Sequence, residues 1–120
     1  MTLQHIVLFS FPSELSDDDD TDMRDQVKAW PEKIGGFGAI RFGRDLTDAR
    51  TRGYQYLLYT EFDDEIALRN YQQHPVHQYF LAWVMERSCT PLAFDYHLTP
   101  DTVVWPHGPN DTHHSGGAAS

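Results

Sequence analysis

The chain has 120 residues, with nine Lys and Arg against eighteen Asp and Glu, and a formal net charge of −9. That length suits one domain, and so acidic a chain, lacking any basic stripe, is repelled by the phosphates of nucleic acid. A single cysteine, Cys89, excludes an internal disulfide and suits a reducing compartment.

Residues 3–11, "LQHIVLFSF", are apolar and β-branched enough for a strand, which Pro12 ends. Alternation places His5, Val7, Phe9 and Phe11 on one face and Ile6, Leu8 and Ser10 on the other. Because His5 interrupts the run and no cationic leader precedes it, this stretch reads as a strand and not as a signal peptide. No apolar stretch approaches the ~20 residues of a membrane helix, so the expected location is the cytoplasm.

Ser16 is a good N-cap, and the aspartates of "SDDDDTD" then fill the first turn, where the helix dipole favours anions. Met23, Val27, Trp30 and Ile34 recur at helical spacing, Pro31 bends or ends the helix, and Gly35-Gly36 closes it. Residues 37–46 read as a second strand and residues 54–62 as a third, with large side chains on both faces. Asp63-Asp64 start a helix carrying Ile66, Leu68 and Tyr71. Pro75 starts another, with Val76, Phe80, Trp83 and Val84 as its stripe, and residues 92–98 form the last strand. From about residue 100 the composition turns to Pro, Gly, Asn, Thr, Ser and His. This divides the chain into a domain over 1–99 and an extension over 100–120, flexible or draped on the domain, whose His107, His113 and His114 are solvated.

The order β-α-β-β-α-α-β defines an α+β chain of the ferredoxin-like split kind: an antiparallel four-stranded sheet with helices on one face. Two of its strands are apolar on both sides. The economical cover for the second face is another copy of the same sheet, so a homodimer through the sheet face is expected.

The segment "NYQQHPVHQYF" carries the chemistry. Pro is favoured at the first position of a helix, where its missing N–H would be unpaired. Tyr71 therefore falls near the end of one helix and His77 in the first turn of the next. His74 sits at the break, held extended by the following proline. Such a joint turns Tyr71 and His77 toward one spot.

Together with "HIVLF", "GRDL…GY" and "FDY", this segment resembles the stress-responsive dimeric α/β-barrel family, Dabb, over residues 3–99. The resemblance implies a dimeric α/β barrel and, through likeness to the family's plant polyketide cyclases, an intramolecular aldol reaction that uses no metal or organic cofactor. It implies Tyr71 and His77 as the catalytic pair, His74 between them, and His5 near the site. An aldol needs a base to take a proton from an activated carbon and a donor to steady the enolate oxygen. A neutral imidazole and a phenol fit those tasks. The dipole at its helix N-terminus is expected to keep the His77 ring neutral at pH 7. An apolar chamber is expected between sheet and helices, lined by Val7, Phe9, Val27, Trp30, Phe80, Trp83, Phe94 and Tyr96.

Three classes stay open: a cofactor-free cyclase or lyase on a small hydrophobic keto or aromatic substrate, a non-catalytic small-molecule-binding stress protein, and a cofactor-independent oxygenase or haem-handling barrel. A zinc site of His5, His74 and His77, with Asp95 orienting one ring, is the less favoured alternative to a metal-free site.

Overall fold

A computed structural model of the chain describes residues 2–106. The elements run β1 (Leu3–Ser10), α1 (Asp17–Lys28), α2 (Trp30–Lys33), β2 (Ala39–Arg44), β3 (Tyr56–Phe62), α3 (Glu65–Gln73), α4 (Pro75–Glu86) and β4 (Thr90–His97), and a 3₁₀ turn, Pro100–Thr102, follows. The four strands form one antiparallel sheet in the order β2-β3-β1-β4. This is the ferredoxin-like arrangement expected from the element order. Residues 107–120, including His107, His113 and His114, lie outside the described part. Among the described residues no helix is long and apolar enough to cross a membrane.

Local chemistry explains the boundaries. The Ser16 hydroxyl accepts from the Asp19 N–H at 3.1 Å and Asp64 accepts from the Ala67 N–H at 2.9 Å, so each caps its helix. The bend or end expected at Pro31 comes earlier, as a break: α1 stops at Lys28 and α2 restarts at Trp30 with Pro31 in its first turn. Gly35 and Gly36 then leave α2 with φ of 76° and 82°, a conformation that glycine adopts without penalty. The second strand is shorter than expected, because Phe37 leaves the sheet to pack on Trp30 and Tyr71.

The face of β1 and β3 that meets the helices buries Leu3, His5, Val7 and Phe9 with Tyr56, Leu58, Thr60 and Phe62. Helices α1 to α4 add Met23, Val27, Trp30, Leu68, Tyr71, Phe80, Trp83 and Val84 to the same core. The opposite face is open in the single chain. Leu57, Leu92, Phe94 and Leu98 lie there exposed, at 41, 50, 65 and 37 %.

Phe94 and Tyr96 are therefore not walls of a chamber between sheet and helices. In the β1–β4 register Phe94 is opposite Ile6 and Tyr96 opposite Gln4, while Asp95 is opposite His5. Strand β4 sends its polar set toward the helices and its aromatic set to the open face, against the expectation that aromatics turn inward.

Candidate active site

The site is built at the joint between α3 and α4. His74 has extended backbone, φ −67° and ψ 136°, and closes one helix while opening the next. Its Nδ1 accepts from the Val76 N–H at 3.1 Å, so His74 is an N-cap in the place that Ser or Asp would usually take. The chain turns there, and the first turn of α4 brings His77 beside Tyr71. Their ring centroids are 4.3 Å apart, inclined at 52°.

His77 Nδ1 lies 3.2 Å from the carbonyl oxygen of Gln72. A carbonyl only accepts, so Nδ1 carries the hydrogen and Nε2 is left as the basic nitrogen. Burial lowers the pKa of His77 below 6.5, because the cation loses water. The Gln72 carbonyl opposes that shift, and the neighbouring His5 and His74 add to it. The direction agrees with the dipole expectation, but desolvation is the leading cause.

Tyr71 is 2 % exposed, and burial pushes its phenol well above 10, so it holds its proton throughout the physiological range. His5, on β1, meets Tyr71 edge-on with centroids 6.0 Å apart. Its Nδ1 is hydrogen-bonded to the Asp95 carboxylate across the β1–β4 pair. The register thus brings His5, Tyr71 and His77 into one cluster, and Asp95 orients its strand histidine. Among the described residues no group of three His, Cys, Asp or Glu is arranged to hold a metal ion.

Of the expected lining, Val7, Phe9, Val27, Trp30, Phe80 and Trp83 are all buried on the helix side. They make a packed core more than an open hollow. The Trp30 indole, fully buried, stands 5.5 Å from Tyr71, 6.0 Å from His77 and 5.0 Å from Phe80, centroid to centroid. Trp83 turns its polar edge outward, its Nε1 donating to Asp22 at 2.9 Å. Trp30 Nε1 has no hydrogen-bond partner at all among the described residues. An unmet buried donor of this kind costs about 1–3 kcal/mol. Grooves open elsewhere: one of ≈ 430 Å³ between α1 and α4, lined by Asp22, Lys33, Val76 and Tyr79 among others, and one of ≈ 510 Å³ beside the β2–β3 loop.

Two participants escaped the sequence reading of the acid–base cluster. Asp95 had been considered only beside a metal, and its period-two alignment with His5 was the available signal. Phe37, half-buried on Trp30 and Tyr71, has the sequence character of a strand start, although Gly36 and Gly38 on either side mark it as a loop residue.

An antiparallel ferredoxin-like sheet with a histidine–tyrosine cluster packed between it and helices that start at prolines defines a small α+β domain. The family model described as the stress-responsive A/B barrel domain, Dabb, matches residues 3–98. The chain belongs to that family. Among solved structures, a dimeric ferredoxin-like protein of unknown function from Thermobifida fusca is 26 % identical with TM-score 0.71, covering 82 % of this chain and 92 % of its own. The hydroxynitrile lyase of Passiflora edulis has TM-score 0.72 at 17 % identity, over 88 % of this chain and 97 % of that one. A mutant of SnoaB, a cofactor-independent oxygenase from Streptomyces nogalater, has TM-score 0.65 at 12 % identity, with 88 and 97 % covered. The last two likenesses are of fold alone. No curated protein matches this chain in sequence.

Proposed function

We propose that the protein is a cofactor-free acid–base enzyme acting on a small hydrophobic keto or aromatic substrate, as an aldol cyclase or lyase, with His77 as base and Tyr71 as oxygen-stabilising donor. The observation that carries this reading is the 4.3 Å pairing of the two rings, with His77 Nδ1 committed to the Gln72 carbonyl. In the proposed step His77 Nε2 takes a proton from a carbon activated by an adjacent carbonyl. The electron pair of that C–H bond passes to the carbonyl oxygen, which the Tyr71 hydroxyl steadies by a hydrogen bond. The carbanion carbon then forms a C–C bond to a second carbonyl, and its alkoxide takes the proton back from the imidazolium. His5, oriented by Asp95, supports the tyrosyl side of the pair. A lyase and a cofactor-independent oxygenase among the structural neighbours are consistent with enzyme chemistry on this scaffold.

A second copy is the proposed cover for the open sheet face, where Leu57, Leu92 and Phe94 stand exposed. Structural relatives are described as dimeric, in support of that homodimer.

The test uses 2-tetralone, a planar ketone with an activated C–H, and follows exchange of that hydrogen in D₂O by NMR. Wild-type protein accelerates the exchange, and His77→Ala and Tyr71→Phe each reduce the acceleration by about 10²–10⁴-fold. Wild-type rates in both folded variants remove the proposal. Binding of the ketone without exchange selects the non-catalytic small-molecule-binding alternative.

A further inference from the structure

Trp30 is the anomaly of the core. Its indole is fully buried, yet its Nε1 donor is unpaired among the described residues, whereas Trp83 meets Asp22 and the buried Gln4 meets both Tyr59 and Thr2. Buried donors are nearly always paired, so an orphan at a site asks for the group that completes it. The rings packed against Trp30 include the proposed base and donor, at 6.0 Å and 5.5 Å. Tyr71 and His77 leave the indole N–H without a bond although they touch its ring. The group it lacks is a hydrogen-bond acceptor.

We propose that the Trp30 Nε1–H is the docking donor for a carbonyl or enolate oxygen of the ligand, and that it sets the site's preference for oxygen-bearing planar compounds over hydrocarbons of the same shape. This rests on the cluster being a ligand site, as in the function proposed above. Two half-buried rings pack against the indole. Phe37 stacks on the indole at 6.3 Å and 6°, and follows Gly35 and Gly36, whose positive φ values no other residue adopts readily. His77 is the second. In the proposed complex the ligand displaces the stacked Phe37, and its oxygen accepts from the indole N–H with the phenol as the second donor. Two donors on one oxygen hold it more tightly as negative charge develops there.

The experiment reads the indole directly. The full chain, ¹⁵N-labelled at tryptophan, is titrated with 2-tetralone and separately with tetralin, the same bicycle without oxygen. Trp30 is assigned by its absence in Trp30→Phe, and Trp83, already bonded to Asp22, is the internal reference. The proposal expects the Trp30 N–H proton to move downfield with 2-tetralone only. It also expects Trp30→Phe to weaken 2-tetralone about tenfold while tetralin affinity is unchanged. An unmoved Trp30 signal, equal loss for both ligands, or no binding of 2-tetralone overturns it. The two readings fail separately. Exchange of the tetralone C–H with a silent indole keeps the base and discards this donor. A shifted indole without exchange keeps the donor and discards the enzyme.

Discussion

The helix-covered face of the sheet and its open face share the same strands, and they differ most in how their buried polar groups are matched. On the open face Gln4, only 3 % exposed, is held by the Tyr59 hydroxyl and by Thr2, and Arg41 lies 5.0 Å over the Tyr59 ring. What that face lacks is cover for Leu57, Leu92 and Phe94. On the covered face most apolar side chains are buried, and the unmet group among the described residues is polar, the Trp30 indole N–H. One face therefore calls for apolar area and the other for a hydrogen-bond acceptor. In the readings proposed above, a second protein copy would meet the first need and a small oxygen-bearing molecule the second.

Substitutions can break this contrast in graded ways. The largest effect is expected at the covered face, where His77→Ala reduces ketone C–H exchange by about 10²–10⁴-fold without altering oligomeric mass, as read by NMR and sedimentation. Trp30→Ala empties the centre of the core and costs about 3–5 kcal/mol in denaturant unfolding, the usual range for a large buried aromatic. Phe94→Arg inverts the pattern. Sedimentation should show a monomer whose circular dichroism is that of wild type, because a charge placed at an apolar interface opposes association and leaves the single-chain core intact. At the joint, His74→Ala loses the cap on α4 and costs about 1 kcal/mol, whereas His74→Asn, a good N-cap, recovers most of it.

The fold was legible because its signals are local and repeated: period-two strands, caps at Ser16 and Asp64, and a proline at the first position of α4. The two-sided apolar character of β1 and β3 also pointed to an uncovered face. Strand β4 misled for a physical reason. Its aromatics Phe94 and Tyr96 look inward by hydrophobicity, but the strand obeys register first, and register puts Asp95 opposite His5. The site was legible in part. The spacing of Tyr71, His74 and His77 about Pro75 foretold a convergence, and the rings do meet. That His74 is spent on a backbone N–H, that Gln72 fixes the tautomer of His77, and that Trp30 fills the expected hollow are matters of three-dimensional packing, which periodicity does not encode.

Acid titration sharpens the same contrast. The folded pKa of His77 lies below its unfolded value near 6.5, so its neutral form is favoured by folding. Stability from this residue is fully present above about pH 6.5 and is lost as pH falls through the folded pKa. Activity that uses the neutral ring is expected to fall over the lower part of that window. His77→Gln should flatten both changes.

The most direct measurement is the tautomer and titration of His77 by ¹⁵N NMR. The proposed base requires the hydrogen on Nδ1, facing the Gln72 carbonyl, with Nε2 bare at neutral pH and the midpoint below 6.5. A hydrogen on Nε2, or a ring still charged above pH 7, leaves Tyr71 without a basic neighbour and contradicts the proposed catalysis.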